Sequence, residues 1–158
     1  LSSQYPKIVC HACLGIVSFC RGETWKECAD AGFDDSNILP YLGDVLNAIS
    51  SGPLSRDISS NIVLYIRAFG SIACLADVVG PNFAPFYSEV IPGLMECTSF
   101  GLQRGANGLF SATGSAAHEI VALRGAAIEA ATIVGQAMGD DDNRFHPEAE
   151  KIMSLIML

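Results

Sequence analysis

Basic residues are in short supply in this sequence. Nine Lys and Arg stand against 17 Asp and Glu, giving a net charge of −8 and an isoelectric point near 4.6. Affinity for nucleic acid comes largely from counterions that Lys and Arg release from phosphates. The composition therefore argues against nucleic acid and in favour of basic partners, which an acidic field attracts. Charge of either sign is sparse, at 16% of residues against 50% apolar, so much of the chain is expected to be buried. Long unbroken apolar runs are missing all the same. Arg, Asp, Glu, Asn or Gly interrupts each before the ~18 residues that a membrane span needs, and no membrane contact is expected. The opening LSSQYPKIVC lacks both a basic n-region and a continuous apolar h-region, so no secretory signal is read there. Without export, the six cysteines (Cys10, Cys13, Cys20, Cys28, Cys74 and Cys97) read as reduced, buried thiols of a cytosolic or nuclear protein, not as a disulfide frame.

What is present is a pattern written three times. At 158 residues the chain has room for one domain. A helical stripe of Ile8, Ala12, Ile16 and Phe19 runs over Pro6–Arg21 and stops at Gly22. A second stripe (Ile62, Ile66, Phe69, Ala73, Ala76) runs over Ile58–Val79 and stops at Gly80. A third (Val121, Ala127, Ile128, Ala131, Val134) runs over Glu119–Met138 and stops at Gly139. Gly22 and Gly80 are 58 positions apart, and Gly80 and Gly139 are 59 apart. Glycine at such ends suits the left-handed backbone that closes a helix.

After each stop come an apolar residue, a proline and a second amphipathic run: NILPYLGDVLNAIS, NFAPFYSEVIPGLME and RFHPEAEKIMSLIM. Superposing Pro40, Pro85 and Pro147 brings Val45, Val90 and Ile152 into register, then Leu46, Ile91 and Met153, then Ile49, Leu94 and Ile156. Proline is at home in a first helical turn, where its missing N–H costs nothing. Pro92 falls deeper and is expected to bend its helix, while Asp57 or Ser59 is placed to cap the second long helix. Each unit reads as a long helix, a tight turn and a shorter helix returning antiparallel. Neither helix hides its stripe alone, so the units are expected to stack. The fold class is all-α, an α-α superhelix of about three antiparallel pairs over units of roughly 4–51, 57–101 and 117–158. Two segments, Glu23–Ser36 and Gly101–Ala116, read as loops. The chain stops at KIMSLIML, inside an apolar helical pattern with no Gly, Asn or Pro to cap it, and reads as a piece of a longer solenoid.

These paired helices with their Gly-x-x-Phe-x-Pro-Phe/Tyr turn resemble HEAT repeats, and in particular those of the importin-beta family of karyopherins. LRGAAIEAATIVGQAMG (Leu123–Gly139) is similar to a run in the middle of the beta-3 type of these receptors. GPNFAPFYSEVIPGL resembles the repeat before that run, and ILPYLGDVLNAI the one before that. The long acidic loop at Glu23–Ser36 and the Gly/Ser-rich stretch before Ala116 depart from the family pattern. The resemblance implies a non-enzymatic nuclear import receptor that shuttles between cytoplasm and nucleus. It implies protein cargo with basic localisation signals, and Ran GTPase and Phe-Gly nucleoporins as partners of the full-length protein. It also implies that the shorter helices line the concave face where cargo lies. The alternative is a HEAT scaffold subunit with no transport role.

With the apolar triplets turned inward, Asp44, Asn47 and Ser51 fall on the outer face of the first short helix, and Glu89 and Glu96 on that of the second. Glu148, Glu150 and Lys151 are available on the third. Asp44, Asn47, Glu89, Glu96 and Glu148 are the candidate cargo-binding residues, an acidic ladder suited to Lys and Arg; a merely solvated helix face is the other reading.

Other constellations carry weaker chemistry. Cys10-x2-Cys13 with His11, Cys20 and Cys28 has some zinc-like spacing, but His11 points about 100° away from the two cysteines on a helix. No metal or cofactor is expected. His118 near Ser111, Ser115 and Glu119 lacks a nucleophile motif, and GLQRGANGLFSATGS lacks the Lys and Ser/Thr that end a phosphate loop. No catalytic residue is assigned. Phe83, Phe86 and Tyr87 read as turn packing.

Overall fold

The computed structural model describes residues 5–21, 38–101, 117–139 and 143–157, and the side chains of Val17, Phe19, Cys20, Arg21 and Ile156 stand outside the description. Among the described residues there is no strand: the protein is all-α. Six α-helices follow in order among these residues: α1 (Pro6–Arg21), α2 (Leu42–Ser51), α3 (Ile62–Val79), α4 (Tyr87–Thr98), α5 (Ala117–Ala137) and α6 (His146–Ile156).

The three long helices lie side by side, with α3 between α1 and α5. That position explains its composition. Ile62, Leu64, Phe69, Ile72, Leu75 and Val79 are all buried, because neighbours cover the helix on more than one side. The helices run the same way. Pro6–Leu14 of α1 line one cavity with Ser59–Arg67, at the start of α3. Farther along, the Ser71 hydroxyl lies 3.0 Å from the Cys13 carbonyl oxygen of α1 and 3.0 Å from that of Arg67 on its own helix. Ser71 and Cys13 are 58 positions apart, the spacing of Gly22 and Gly80. The third unit places Ala130 at the corresponding point, so the packing line reads Cys13, Ser71, Ala130, all buried. Small side chains are what allow helix backbones to come this close.

The helix α4 packs on α5 in the opposite sense. The Arg124 Nε of α5 donates to the Thr98 carbonyl at the end of α4, at 2.9 Å. The Tyr87 hydroxyl at the start of α4 donates to the Arg144 carbonyl beyond the end of α5, at 3.1 Å. The start of α2 meets the start of α4, where the Phe86 ring lies 3.4 Å from where a Cβ on Gly43 would sit. In the connector before α3, the Tyr65 hydroxyl sits 2.8 Å from the carbonyl oxygens of both Leu54 and Arg56.

The turns owe their shape to glycine and proline. Gly80 and Gly139 both have positive φ, +53° and +83°, which L side chains rarely adopt. Gly22 lies outside the described residues. A 3-10 segment spans Gly80–Phe86 and carries Pro85, and another, Leu39–Tyr41, carries Pro40; Pro147 lies in the first turn of α6. Two of the three prolines therefore stand just ahead of the α-helix, in a tighter turn whose first N–H groups also need no intrahelical partner. The turn after α5 is packed especially closely. Gly135, in the last turn of α5, faces the Phe145 ring so closely that a Cβ there would overlap it. One unit earlier the matching positions are Ala76 and Phe83, and both are fully buried.

The short helices follow the expected register: Leu46, Ile49, Ile91, Leu94 and Ile152 are buried. Some stripes are rotated. Ile8 is 57% exposed and Val121 57%, while Val9, Cys13 and Leu123 are fully buried in their place. The reason is geometric. The seam between α1 and α3 falls one residue, about 100°, round from the apolar stripe of α1. Met153 is likewise 54% exposed beside buried Ile152. The start of the second long helix also differs. Ile58–Ser60 is a 3-10 turn capped by Asp57, whose Oδ2 accepts from the Ser60 N–H at 2.9 Å, and the α-helix begins at Ile62. Pro92 lies inside α4, which continues past it to Thr98.

Two helical stretches are long and apolar enough to cross a membrane, Ile62–Thr98 and Ala117–Ala137, which the sequence reading did not expect. The first is 61% buried inside the fold, the signature of a core helix. The second carries Arg124 and Glu129, charges that are costly in hydrocarbon.

Candidate functional site

The candidate surface is the outer face of the short helices. Asp44, Asn47, Glu89 and Glu96 are exposed there, and Glu148 is half-buried. Three of these five residues share a local role. Asp44, Glu89 and Glu148 are each the third residue of their helix, α2, α4 and α6 respectively. The residues at the corresponding N-caps are Tyr41, Phe86 and Phe145, and none makes a side-chain capping bond. At α2 and α4 the preceding 3-10 turns supply backbone acceptors instead, Leu39 O taking the Leu42 N–H and Ala84 O the Tyr87 N–H. A carboxylate in the first turn also interacts favourably with the helix dipole, by about 0.3–1 kcal/mol each. Asp44, Glu89 and Glu148 therefore have a structural job whatever they bind. Glu96 and Asn47, farther along their helices, have none of this kind.

Glu148 is the least accessible of the five. Its Oε2 is buried with no hydrogen-bond partner among the described residues. It is a poor donor of charge to an outside ligand. The structure instead opens a cleft of about 570 Å³ between the end of α4 and α6, floored by Met95, Pro147 and Leu155 and edged by Glu150 and Lys151. Neither Glu89 nor Glu96 lines it, so the acidic residues are spread along separate helices and not gathered into one pocket.

Between the second and third units the chain is latched. Beyond the Tyr87 hydroxyl bond to the Arg144 carbonyl, the Arg144 guanidinium lies over the Tyr87 ring, 5.5 Å from its centre. Phe83 is fully buried, with Phe86 6.2 Å from it at a tilted 59°, so this aromatic group packs the turn.

Cys10, Cys13, Cys74 and Cys97 are free thiols, all buried except the half-buried Cys10. Burial raises the Cys13 thiol pKa despite an opposing hydrogen bond from Ser71. Burial, with the Glu96 carboxylate beside it, pushes Cys97 up to about 11. Because the folded-state value lies above the unfolded one, this group's contribution to stability is complete below the ordinary thiol pKa, ~8.5, and is lost as pH rises from there through about 11. The urea midpoint is expected to fall between pH 8 and 10.5, and by less in Cys97→Ala. Equal falls in the two proteins would show that the thiol does not titrate this way. Cys28 lies outside the described residues, His11 is exposed, and no three His, Cys, Asp or Glu side chains among the described residues gather closely enough to hold a metal. His118 and His146 are exposed, and Ser111 and Ser115 lie outside the described residues.

The seam of Cys13, Ser71 and Ala130 and the cavity between the starts of α1 and α3 were not expected from the sequence. The signal for the seam was present. Carrying the glycine spacing back along the long helices pairs Ser71 with Cys13 directly. Comparison with family models, with characterised proteins and with solved structures finds no match for this chain.

Proposed function

We propose that this chain is a piece of a nuclear import receptor of the importin-beta kind. In this reading it is an α-α superhelix of HEAT-type helix pairs that holds basic protein cargo by reversible binding. The observation that carries the reading is the in-register alignment of the long helices, with Ser71 bonded to Cys13 at the repeat spacing. An array built that way extends by adding pairs, and leaves its short helices free to present a continuous polar face. The charge of −8 gives that face the sign that a Lys/Arg-rich signal requires. The quoted runs around Leu123–Gly139 supply the link to karyopherins; the shuttling between cytoplasm and nucleus, and the Ran and Phe-Gly nucleoporin partners, come with that link.

A Lys/Arg-rich peptide is expected to bind in calorimetry with an affinity that falls as salt rises. Glu89→Lys combined with Glu96→Lys should weaken it by roughly tenfold or more, since both attractions become repulsions. Unchanged affinity would remove these residues from the site. Glu96→Lys alone should retain most of the effect, because Glu89 also serves its helix start. Release of the peptide by GTP-bound Ran from the full-length protein would separate the transport role from a scaffold that ignores Ran.

A further inference from the structure

Although basic side chains are few, three cationic or titratable ones converge on a single cavity. Lys7 and His11 on α1 and Arg67 on α3 line a space of about 550 Å³ between the starts of the two helices. Lys7 and His11 are four residues apart and so share one face of α1. None of the three has an ion-pair or hydrogen-bond partner to its side chain among the described residues. The facing wall brings Ser59, Ser60 and the first turn of α3.

That turn is open. The Asn61 side-chain nitrogen donates to the Asp57 carbonyl at 2.8 Å, and Asn61 makes no side-chain cap to the helix. The Asn61 carbonyl takes the N–H groups of Leu64 and Tyr65, at 2.9 and 3.1 Å. The N–H groups of Ile62 and Val63 precede the first intrahelical bond and point out of the helix start. Asp57, the nearby acid in sequence, is engaged by the Ser60 N–H. Glu119 is the one carboxylate on the lining. Buried Ile62 and Leu64 form an apolar floor, and Val63, 53% exposed, stands at the wall.

We propose that this cavity binds a phosphate monoester, carried as a phosphoserine or phosphothreonine side chain on a protein partner. Three phosphate oxygens match the donors on the two walls: Lys and Arg cations, serine hydroxyls and outward N–H groups. The cations define the site, and the helix start adds oriented donors. The apolar floor fits the residues flanking a phosphorylated side chain and offers nothing to free phosphate. The net charge of −8 repels a polyanion along its length, whereas a single dianion inside the cavity feels mainly the charges within a Debye length, about 8 Å. The site is opposite in sign to the acidic faces of α2 and α4, and does not depend on what those faces bind.

Calorimetry of the 158-residue chain with a leucine-flanked phosphoserine peptide, its unphosphorylated twin and inorganic phosphate tests the assignment. The phosphopeptide should bind roughly tenfold or more tightly than either control. Lys7→Glu with Arg67→Glu should abolish that preference while circular dichroism keeps its helical signal, and Glu119→Gln should tighten binding by a few-fold. If the double reversal loses helicity, Lys7→Ala and Arg67→Ala tested singly decide, each expected to weaken binding roughly threefold or more. Equal binding of the unphosphorylated twin, or indifference to Lys7 and Arg67, overturns the site. Inorganic phosphate binding as tightly as the phosphopeptide overturns the protein partner.

Discussion

Phe69→Ala should lower the unfolding free energy by about 3–5 kcal/mol, among the largest effects expected of a truncation at the described residues. Phe69 sits in the middle of the central helix, 1% exposed, with the Tyr65 ring edge-on to it at 5.9 Å. Removing the ring takes its apolar area out of the core and leaves a void between packed helices. The backbone cannot close that void, because α3 is held from both sides by α1 and α5. Against a total of ~5–15 kcal/mol for a typical domain, the loss is a fifth or more. Urea unfolding followed by circular dichroism reads it as a fall in midpoint of about 1–2 M at an ordinary slope. Phe69→Leu, which refills most of the volume, should cost much less. A loss below about 1 kcal/mol for the alanine variant would mean that the site collapses and that α3 is not held from both sides.

The second large effect concerns a residue with no side chain. In most exposed helix interiors, Gly→Ala stabilises by about 0.5–1 kcal/mol. Gly125 is such a position: it is exposed in α5 and nothing lies within 4 Å of a Cβ built there. Gly125→Ala should therefore raise the midpoint. Ten residues on, the same substitution should act in the opposite direction. A Cβ on Gly135 would enter the Phe145 ring, near Cγ as well as the outer carbons, so the ring cannot escape by swinging its tip. Overpacking of this kind costs about 1–3 kcal/mol, and Gly135→Val should exceed that. Phe145→Ala in the same chain should relieve the clash, so that the double variant loses less than the two single losses combined. Strict additivity would mean that Phe145 does not rest on Gly135 in solution.

Much of the fold could be read from the sequence because its two signals, helical periodicity and Gly/Pro punctuation, are local. The glycines at Gly80 and Gly139 have the positive φ that their positions after a helix require. The short-helix register came out through Leu46, Ile49, Ile91 and Leu94, since their turns fix which face points inward. The long helices were read less well. The burial of Val9 in place of Ile8, and of Leu123 in place of Val121, depends on where a neighbouring helix lies, which periodicity within one helix does not specify. In α1, which is apolar around much of its circumference, several faces qualify and the neighbour decides.

The candidate surface was legible only as exposure. Asp44, Asn47, Glu89 and Glu96 do face outward, but the sequence could not reveal that Glu148 would be half-buried. Nor could it show that three of the acids stand in first turns whose N-cap residues are aromatic and make no side-chain cap. The cavity of Lys7, His11 and Arg67 joins residues sixty positions apart. No motif-sized window contains both walls.

The seam of Cys13, Ser71 and Ala130 has a mechanical consequence. Side chains this small bring backbones together without interlocking them, so the contact resists separation more than it resists sliding. In the proposed superhelix, small tilts at successive long-helix contacts would then add up, making it stiff in thickness and compliant in pitch. X-ray scattering on variants with a bulky residue at Ser71 would register that compliance as a narrower spread of overall dimensions.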